Sequence, residues 1–369
     1  MNISRINAKV FLTMSNSEYH PLVSVAVPCY NHSKYVVETL DSIINQTYKN
    51  IELIIVDDFS SDNSVAVIEN WISEHNIECK FIKHKRNIGV SESLNEIFEE
   101  ISGQYLSILA SDDVMLPDKI ERQVAAFSNL DESFAIVYGD FSTIDPEGNI
   151  IDESILEKDN AKDNFVSGYQ FERIMNKLFF YSQSALFRVS SIDAIQFRFS
   201  KLIISEDWYM QLRLGQKFNI YGLPGVTVKY RVLPTSIYRQ NWNDEKIHLV
   251  LQSDYHMFYS LLAWEGKDSS NYTLIENKIG PLLIEMYLHR KYQSRDWGFV
   301  NKEKYFKKVI QNKRLRRATN ESINGNYRRS YSYFRDAMWV SPIRTFSFKF
   351  LSTFLRAFFY MPIRRRMLP

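Results

Sequence analysis

The first 118 residues alternate short apolar runs with amphipathic segments, and this alternation constrains the fold more than any other feature of the chain. In the amphipathic segments apolar residues recur at helical spacing, as at Val36, Leu40, Ile43 and Ile44. The pattern predicts strands at 23–27, 51–56, 80–82 and 105–109, and helices at 35–45, 63–74 and 89–101. A strand–helix repeat of this length predicts a parallel, doubly wound sheet with right-handed crossovers.

Polar residues gather where these predicted strands end. Tyr30-Asn31 follows the first strand, Asp57-Asp58 the second, Arg86-Asn87 the third and Ser111-Asp112-Asp113 the fourth. Ligands of such sheets bind outside the carboxyl ends of the strands. We therefore expect one edge of the sheet to collect a polar loop, two acidic pairs and a cation.

The pair Asp112-Asp113 closes a buried apolar strand, which makes it the most informative of these features. Two adjacent carboxylates at such a position are costly unless a cation lies between them and a ligand. Mg²⁺ or Mn²⁺ carrying a diphosphate suits these hard oxygen ligands. The alternative is a helix cap followed by a solvated turn.

The second half of the chain is less regular. It predicts strands at 134–138, 184–187 and 226–232, a loop at 145–165, and helices at 172–178, 207–214, 247–264 and 275–292. The chain of 369 residues is 45% apolar and 24% charged, which is typical of a globular protein with two domains or one large domain with appendages.

Cysteine usage and hydropathy indicate the compartment. Cys29 and Cys79 show no metal-binding spacing, so we expect a reduced, cytoplasmic environment. The apolar stretch 10–12 is too short for a signal sequence, and no apolar run of about 18 residues predicts a membrane span.

Charge is distributed unevenly along the chain. The 84 residues 286–369 carry 20 Lys and Arg against 4 Asp and Glu, whereas the preceding residues carry 25 against 39. Residues 302–317 hold eight basic residues and one acid, and the segment 343–366 is rich in phenylalanine and ends in three arginines. This composition favours an interfacial helix on anionic lipid, with a core helix of a C-terminal bundle as the alternative. No nucleic-acid recognition motif accompanies the charge, so we do not expect nucleic acid as a partner.

Seven elements occur together in a recognisable order. They are residues 25–31, 42–48, 54–62, 86–89, 111–113, 206–207 and 230–231. Over residues 21–240 the chain resembles the inverting glycosyltransferases of family 2. The resemblance implies an α/β GT-A fold, a doubly wound mixed sheet, with a helical, basic C-terminal extension. It also implies an N-terminal extension (1–20), a nucleotide-binding half (21–118), an acceptor half (119–240) and a helical region (241–369) with a membrane-associating tail.

The resemblance assigns nucleotide binding to a set of residues at the strand ends. They are Pro28, Tyr30, Asn31, Asp58, Arg86, Ser111 and Asp112. Pro28 stops the first strand and exposes Tyr30 to stack on a base. Asp58 can accept a hydrogen bond from N3–H of uracil, or from a guanine or thymine edge, whereas Asp57 is expected to bond loop amides. The alternative interpretations are a capping turn with Ser60 and Ser61 around Asp57-Asp58, and a surface salt bridge for Arg86.

The resemblance also implies the catalytic groups. Asp112 would face the ribose and Asp113 would hold Mg²⁺ or Mn²⁺, which neutralises the departing diphosphate. Asp207 is the expected general base, supported by Glu206; a single base with in-line attack gives inversion. The alternative is that this pair is an acidic N-cap of the helix that follows.

The chain departs from the family pattern in two places. The Gln-x-x-Arg-Trp motif and the membrane spans of processive synthases are missing, which favours a non-processive enzyme. Many non-processive relatives have His two residues after the Tyr-Arg pair, where this chain has Leu233. Arg231 and Ser236 are therefore the candidates for a diphosphate contact.

These features predict a peripheral enzyme on the cytoplasmic leaflet of the plasma membrane. It would extend a lipid-linked glycan from a nucleotide-diphosphate sugar, most simply a UDP-sugar, in O-antigen or capsule assembly. Two alternatives remain. A nucleotidyltransferase would need a glycine-rich phosphate loop after the first strand, which 28–32 lacks. A catalytically inactive nucleotide-sugar-binding protein would be expected to lose Asp113 or Asp207, and both are present.

Overall fold

A computed structural model describes residues 20–156, 165–176, 180–234, 244–265 and 269–288. The chain divides into two compact units, with the boundary between Asn241 and Trp242. The domain boundaries expected from the sequence stay predictions.

The first unit begins with the predicted strand–helix alternation. Its elements are β1 (Val23–Cys29), α1 (Val36–Ile44), β2 (Ile51–Asp57), α2 (Ser64–His75), β3 (Lys80–Lys83), α3 (Val90–Glu100) and β4 (Tyr105–Ile108). The four strands are parallel and lie in the order β3-β2-β1-β4. Each predicted boundary lies within two residues of the observed one.

Burial explains why these segments take up their structure. β1 is a central strand with six of its seven residues buried, as expected for a parallel strand covered on both faces. Pro28 lies beyond Ala26, the last residue of β1 that pairs with β4. Because proline lacks an N–H donor, this position costs no hydrogen bond on that side. The strand continues one residue past Pro28 and ends at Cys29.

The rest of the first unit extends the sheet with antiparallel and parallel strands. Its elements are β5 (Val114–Met115), α4 (Lys119–Phe127), β6 (Phe134–Ile144), β7 (Ile150–Asp152), α5 (Phe171–Asn176), β8 (Ala185–Arg188), α6 (Val189–Ala194), α7 (Glu206–Gly215) and β9 (Asn219–Arg231). The full order is β3-β2-β1-β4-β8-β6-β9-β5, with β7 paired to β6. β8 is antiparallel to both β4 and β6, and β6 is parallel to β9, so the sheet is mixed.

The structure differs from the predictions in this region at four elements, β6, β7, β9 and α6. β6 continues to Ile144 and β9 begins at Asn219, so both strands are longer than predicted. The predicted loop 145–165 contains the short strand β7, and α6 was not predicted at all. The long strands support each other by pairing over most of their length, an interaction that no local window reveals.

The second unit contains two described helices, α8 (Asp244–Trp264) and α9 (Ser270–Leu288), that pack against each other. Met257, Leu261, Ile275 and Ile279 are buried. No helix within the described ranges has both the length and the apolar character that crossing a membrane requires.

Candidate active site

The loops that follow β1 and β2 are tied to each other by hydrogen bonds. The Asn31 amide donates to Ser60 Oγ (2.8 Å), and Asn31 Oδ1 accepts from the Ser61 amide (2.7 Å). Asp57 accepts from the Ser60 amide and hydroxyl, the loop-bonding role expected for it. Asn31 thus joins the two loops by hydrogen bonds, while the neighbouring residue Tyr30 is 47% exposed.

Asp58 anchors the loop that follows β3. Only 5% of the residue is exposed. Its Oδ1 accepts from the Ile88 amide (2.8 Å) and lies 2.8 Å from His84 Nδ1, and its Oδ2 accepts from the Gly89 amide (2.8 Å). An ionised carboxylate offers about four acceptor positions, so one position on Oδ2 is left for a ligand.

Arg86 lies in this same loop and is exposed. It forms no ion pair or hydrogen bond with the residues that the structure describes, so the surface salt bridge considered as an alternative is not formed there. Ser236, a candidate for a diphosphate contact, lies outside the described residues.

Asp113 is completely buried in the turn after β4. Its Oδ1 accepts from the Arg231 amide (2.8 Å), whereas its Oδ2 is buried without a hydrogen-bond partner. Burial, and then the negative charge of Asp112, raise the pKa of Asp113 well above its usual range. A bound cation would relieve both effects, because it supplies a partner for Oδ2 and compensates the paired charges. The donor set therefore fits a hard divalent ion.

His32 adds a contact to this turn that the sequence did not predict. Its Nδ1 lies 2.8 Å from Ser111 Oγ and 3.8 Å from Asp112 Oδ1. Burial raises the pKa of Asp112, and nearby positive charge on His32 opposes that rise. The available signal was position, since His32 directly follows Tyr30-Asn31 at the binding edge of the sheet.

Side chains of helix α1 and of the residues just after it bind the backbone that follows the same turn. This contact gives a structural reason for the family element at 42–48. Ser42 Oγ accepts from the Met115 amide (3.1 Å). The Gln46 side chain donates to the carbonyl of Leu116 (2.8 Å) and accepts from the Ile120 amide (3.1 Å). These bonds fix the path of the chain immediately after Asp113.

The hydrogen bonds of Arg231 do not support the diphosphate contact expected from the sequence. Its guanidinium is buried, with Nε donating to the Asp112 carbonyl (2.8 Å) and Nη1 to the carbonyls of Asp145 and Pro146 (both 3.2 Å). Nη2 donates to the Glu38 carboxylate. At least four of the five N–H donors of the guanidinium are committed within the protein. Arg231 therefore acts as a clamp on the acidic turn.

Glu206 and Asp207 form the first two positions of α7, with Ser205 as the N-cap residue. Burial and the charge of Asp207 raise the pKa of Glu206 to about 8, and burial raises the pKa of Asp207. Asp207 Oδ1 accepts from the Trp208 amide (2.7 Å). Within the described part of the chain neither carboxyl forms an ion pair, so no positive charge offsets these shifts.

Tyr230 is influenced by carboxylates from both acidic pairs. Burial raises the pKa of its hydroxyl, and so do the charges of Asp113, Asp112 and Asp207. Its ring packs against Tyr181, with 5.0 Å between centroids. Carboxylates from the end of β4 and from the start of α7 therefore lie within electrostatic range of one hydroxyl.

Comparison with known proteins identifies the family. The profile described as glycosyl transferase family 2 matches residues 24–195. An uncharacterised glycosyltransferase of Methanocaldococcus jannaschii is 30% identical over 241 residues, which cover 62% of this chain and 77% of that protein. The chain belongs to glycosyl transferase family 2. This membership confirms the sequence-based resemblance and favours a glycosyltransferase over a nucleotidyltransferase.

Other relatives match a shorter region of this glycosyltransferase. An uncharacterised glycosyltransferase of Rickettsia felis is 39% identical over 131 residues, and chondroitin synthase of Escherichia coli is 37% identical over 131 residues. Each alignment covers 36% of this chain, but only 21% and 19% of the respective relative. The chain therefore spans about a fifth of the length of these relatives.

Solved structures share the fold of this glycosyltransferase. TarS 1-349 of S. aureus, in complex with UDP-GlcNAc, superposes on this chain with a TM-score of 0.52 at 16% identity. The superposed region covers 79% of this chain and 80% of TarS 1-349. The mannosyltransferase PcManGT of Pyrobaculum calidifontis, in complex with GDP-Man and Mn²⁺, gives a TM-score of 0.50 at 16% identity, with coverages of 92% and 86%. The expected mixed α/β GT-A fold is confirmed.

Proposed function

We propose that this glycosyltransferase transfers a sugar from a nucleotide-diphosphate sugar to a hydroxyl of a glycan acceptor, with inversion at the anomeric carbon. The observation that carries the proposal is the buried, unpartnered Oδ2 of Asp113 beside Asp112. The charges of these two residues and of Asp207 also raise the pKa of Tyr230, which supports their proximity. The nucleotide sugars bound by TarS and PcManGT support the choice of donor.

Base recognition is assigned to Asp58, Tyr30 and Arg86. The remaining acceptor position on Asp58 Oδ2 suits the N3–H of uracil or the N1–H of guanine. Cytosine and adenine present an acceptor at the corresponding position and would face a carboxylate with no proton between them. Tyr30 offers an exposed face for stacking, and Arg86 offers a cation for the base or the diphosphate. We favour a UDP-sugar.

The divalent ion is assigned to the turn after β4. Asp113 would hold Mg²⁺ or Mn²⁺ through Oδ2, while Asp112, which lies 3.8 Å from His32 Nδ1, would face the ribose. When bound, the ion neutralises the diphosphate leaving group. No group of three or more His, Cys, Asp or Glu side chains within the described ranges is arranged to hold a metal ion, so we expect metal affinity to depend on the nucleotide.

Proton transfer is assigned to Asp207. The pKa of Glu206 is raised to about 8, partly by the negative charge of Asp207, which favours Glu206 as the protonated and Asp207 as the ionised member of the pair. Asp207 removes the proton of the acceptor hydroxyl as that oxygen attacks the anomeric carbon from the face opposite the nucleotide. A single displacement with one base gives inversion.

The acceptor is proposed to be a lipid-linked glycan at the cytoplasmic face of the plasma membrane, in the assembly of a cell-surface polysaccharide. The excess of 20 basic over 4 acidic residues in 286–369 supports attraction to anionic lipid. The segments 302–317 and 343–366 lie outside the described residues. The polysaccharide role is also supported by the similarity to chondroitin synthase.

A nucleotide panel tests the donor and the metal. We expect UDP or GDP to bind more tightly than CDP and ADP, Mn²⁺ to strengthen that binding, and one nucleotide sugar to release free nucleotide with Mn²⁺. Asp113→Ala should lose the response to Mn²⁺ and all transfer. Full Mn²⁺ response in this variant would refute the metal assignment. Binding without any turnover on a complete donor and acceptor panel would favour the inactive binding protein.

Co-sedimentation with vesicles tests the membrane assignment. The full chain should bind vesicles containing anionic lipid, and deletion of 343–369 should release it while donor hydrolysis survives. Each Lys or Arg near an anionic surface contributes about 1 kcal/mol, so raised salt should weaken the binding. Equal binding by the truncated protein, or no binding by the full chain, would contradict the assignment.

A further inference from the structure

His84 joins Asp58 to helix α3. Its side chain is 8% exposed, with Nδ1 2.8 Å from Asp58 Oδ1 and Nε2 2.7 Å from Glu96 Oε2. The His84 amide donates to the Asp57 carbonyl (3.0 Å), which fixes the residue beside the end of β2. The backbone hydrogen bond therefore fixes the position of His84, and its ring lies between two carboxylates.

The geometry determines the protonation state of this ring. An ionised carboxylate can only accept hydrogen bonds, so both ring nitrogens must carry a proton for both contacts to be hydrogen bonds. Burial lowers the pKa of His84, but the hydrogen bonds and charges of Asp58 and Glu96 outweigh it and leave the pKa above its ordinary value. The ring is an imidazolium between two carboxylates.

We propose that protonated His84 is a positioning residue for recognition of the nucleobase, acting through Asp58. A flat base that covers Asp58 removes the carboxylate from water, which is costly unless its charge is compensated. The imidazolium supplies that charge and occupies Oδ1, so that Oδ2 remains the acceptor for the base. This inference rests on the assignment of Asp58 to base recognition in the proposed function.

Among the nearby basic residues, His84 is the one that compensates the charge of Asp58. Lys83, the preceding residue, pairs with Glu69 on α2, and Lys85 and Arg86 are exposed. Among the described residues, His84 is the one cationic side chain in contact with Asp58. Deprotonation of His84 removes one of its two ring donors, so one of the two carboxylates must lose its hydrogen bond.

The experiment compares two nucleotides that differ in the base alone. The dissociation constants of UDP and CDP are measured by calorimetry from about pH 6 to about pH 8.5, the range in which histidine titrates. If guanine is the preferred base, GDP and ADP take their place. Both members of a pair carry the same diphosphate, so phosphate titration cancels in the ratio. We expect the preference to fall by about tenfold as the pH rises through the raised pKa of His84.

Three variants test the assignment. His84→Asn should show a small preference that does not change with pH. Glu96→Gln removes one partner charge without touching Asp58, so it should move the decline in preference to lower pH while the fold is retained. Glu99→Gln, exposed on the same helix, is the matched control and should behave as the wild type.

Three results would overturn the inference. The first is a wild-type preference that does not change with pH, and the second is the same profile in Glu96→Gln as in the wild type. The third is a neutral His84 ring at pH about 7 in ¹⁵N NMR spectra. Equal binding of both nucleotides at every pH would instead refute the base contact of Asp58 in the proposed function, and the inference with it.

Discussion

Replacement of Asp113 by asparagine should separate folding stability from metal binding. The asparagine side chain would keep an acceptor for the Arg231 amide, now 2.8 Å from Oδ1 of Asp113, and would remove a negative charge beside Asp112. In the metal-free protein the buried Oδ2 has no partner, so the carboxylate contributes no bond there that asparagine would lose. We therefore expect Asp113→Asn to fold at least as stably as the wild type without metal.

The magnitudes follow from the burial of this residue. A buried polar atom without a partner costs about 1–3 kcal/mol, and the asparagine NH₂ at the Oδ2 position bears a similar cost, whereas the repulsion between two adjacent carboxylates is removed. The free energy of unfolding in EDTA should therefore stay equal or rise by about 1 kcal/mol. In the presence of UDP, Mn²⁺ at 100 times its dissociation constant should add about 2.7 kcal/mol to the stability of the wild type and almost nothing to that of the variant.

Urea unfolding and thermal melting with EDTA alone, with UDP plus EDTA, and with UDP plus Mn²⁺ measure both effects. For a domain of this size each kcal/mol corresponds to about 2–4 °C in Tm. Asp118→Asn is a suitable control, because Asp118 lies in the same segment, has a half-exposed side chain and pairs with Arg122 at 3.5 Å. Equal stabilisation of wild type and Asp113→Asn by Mn²⁺ would refute the reasoning. So would a metal-free variant weakened by more than about 2 kcal/mol, since that loss requires a carboxylate already paired in the folded protein.

Three further predictions concern other residues. Asp207→Asn should bind nucleotide normally in calorimetry but lose about 10²–10⁴ in turnover, because the general base is removed. The ammonium of Lys119 is buried among Ser107, Gln123 and the Ala185 carbonyl, and burial lowers its pKa from 10.5 to about 7. The unfolded chain keeps this proton up to about pH 10.5. Urea unfolding should therefore show stability rising with pH above 7 in the wild type, a slope that Lys119→Met lacks. Phe59 is 54% exposed at φ 63°, where a side chain costs about 1–2 kcal/mol, so Phe59→Gly should unfold at higher urea than Phe59→Ala.

The parallel half of the sheet could be predicted because its signal is local. Each of β1, β2 and β4 is a short buried run, and each following helix shows its own apolar spacing, so a window of about 11–18 residues contains the evidence. β9 behaves differently. Gly222, Pro224 and Gly225 interrupt its sequence, yet it forms a strand over 13 residues because β6 pairs with it across bulges. That support comes from residues about 85 positions away in the chain.

The acidic residues of the site could be found for the same reason, since Asp112-Asp113 and Glu206-Asp207 are adjacent in sequence and each adjoins a strand or helix boundary. Their partners could not. His84 reaches Asp58 across 26 residues, and the Arg231 amide reaches Asp113 across 118. Such contacts depend on which strand ends become neighbours. That order is a property of the folded sheet and not of any single segment.

Burial separates the two arginines that were candidates for the ligand site. The resemblance assigned Arg86 to nucleotide binding and left Arg231 as a candidate for the diphosphate contact, and both roles suit a guanidinium. Arg231 donates hydrogen bonds to the carbonyls of Asp112, Asp145 and Pro146. These donors become available to a ligand only if the hydrogen bonds to the acidic turn are broken. Arg86 has no partner among the described residues and is exposed in the loop that Asp58 anchors. A cation that binds a ligand must keep donors that internal acceptors do not occupy, and of the two arginines it is Arg86 that meets this condition.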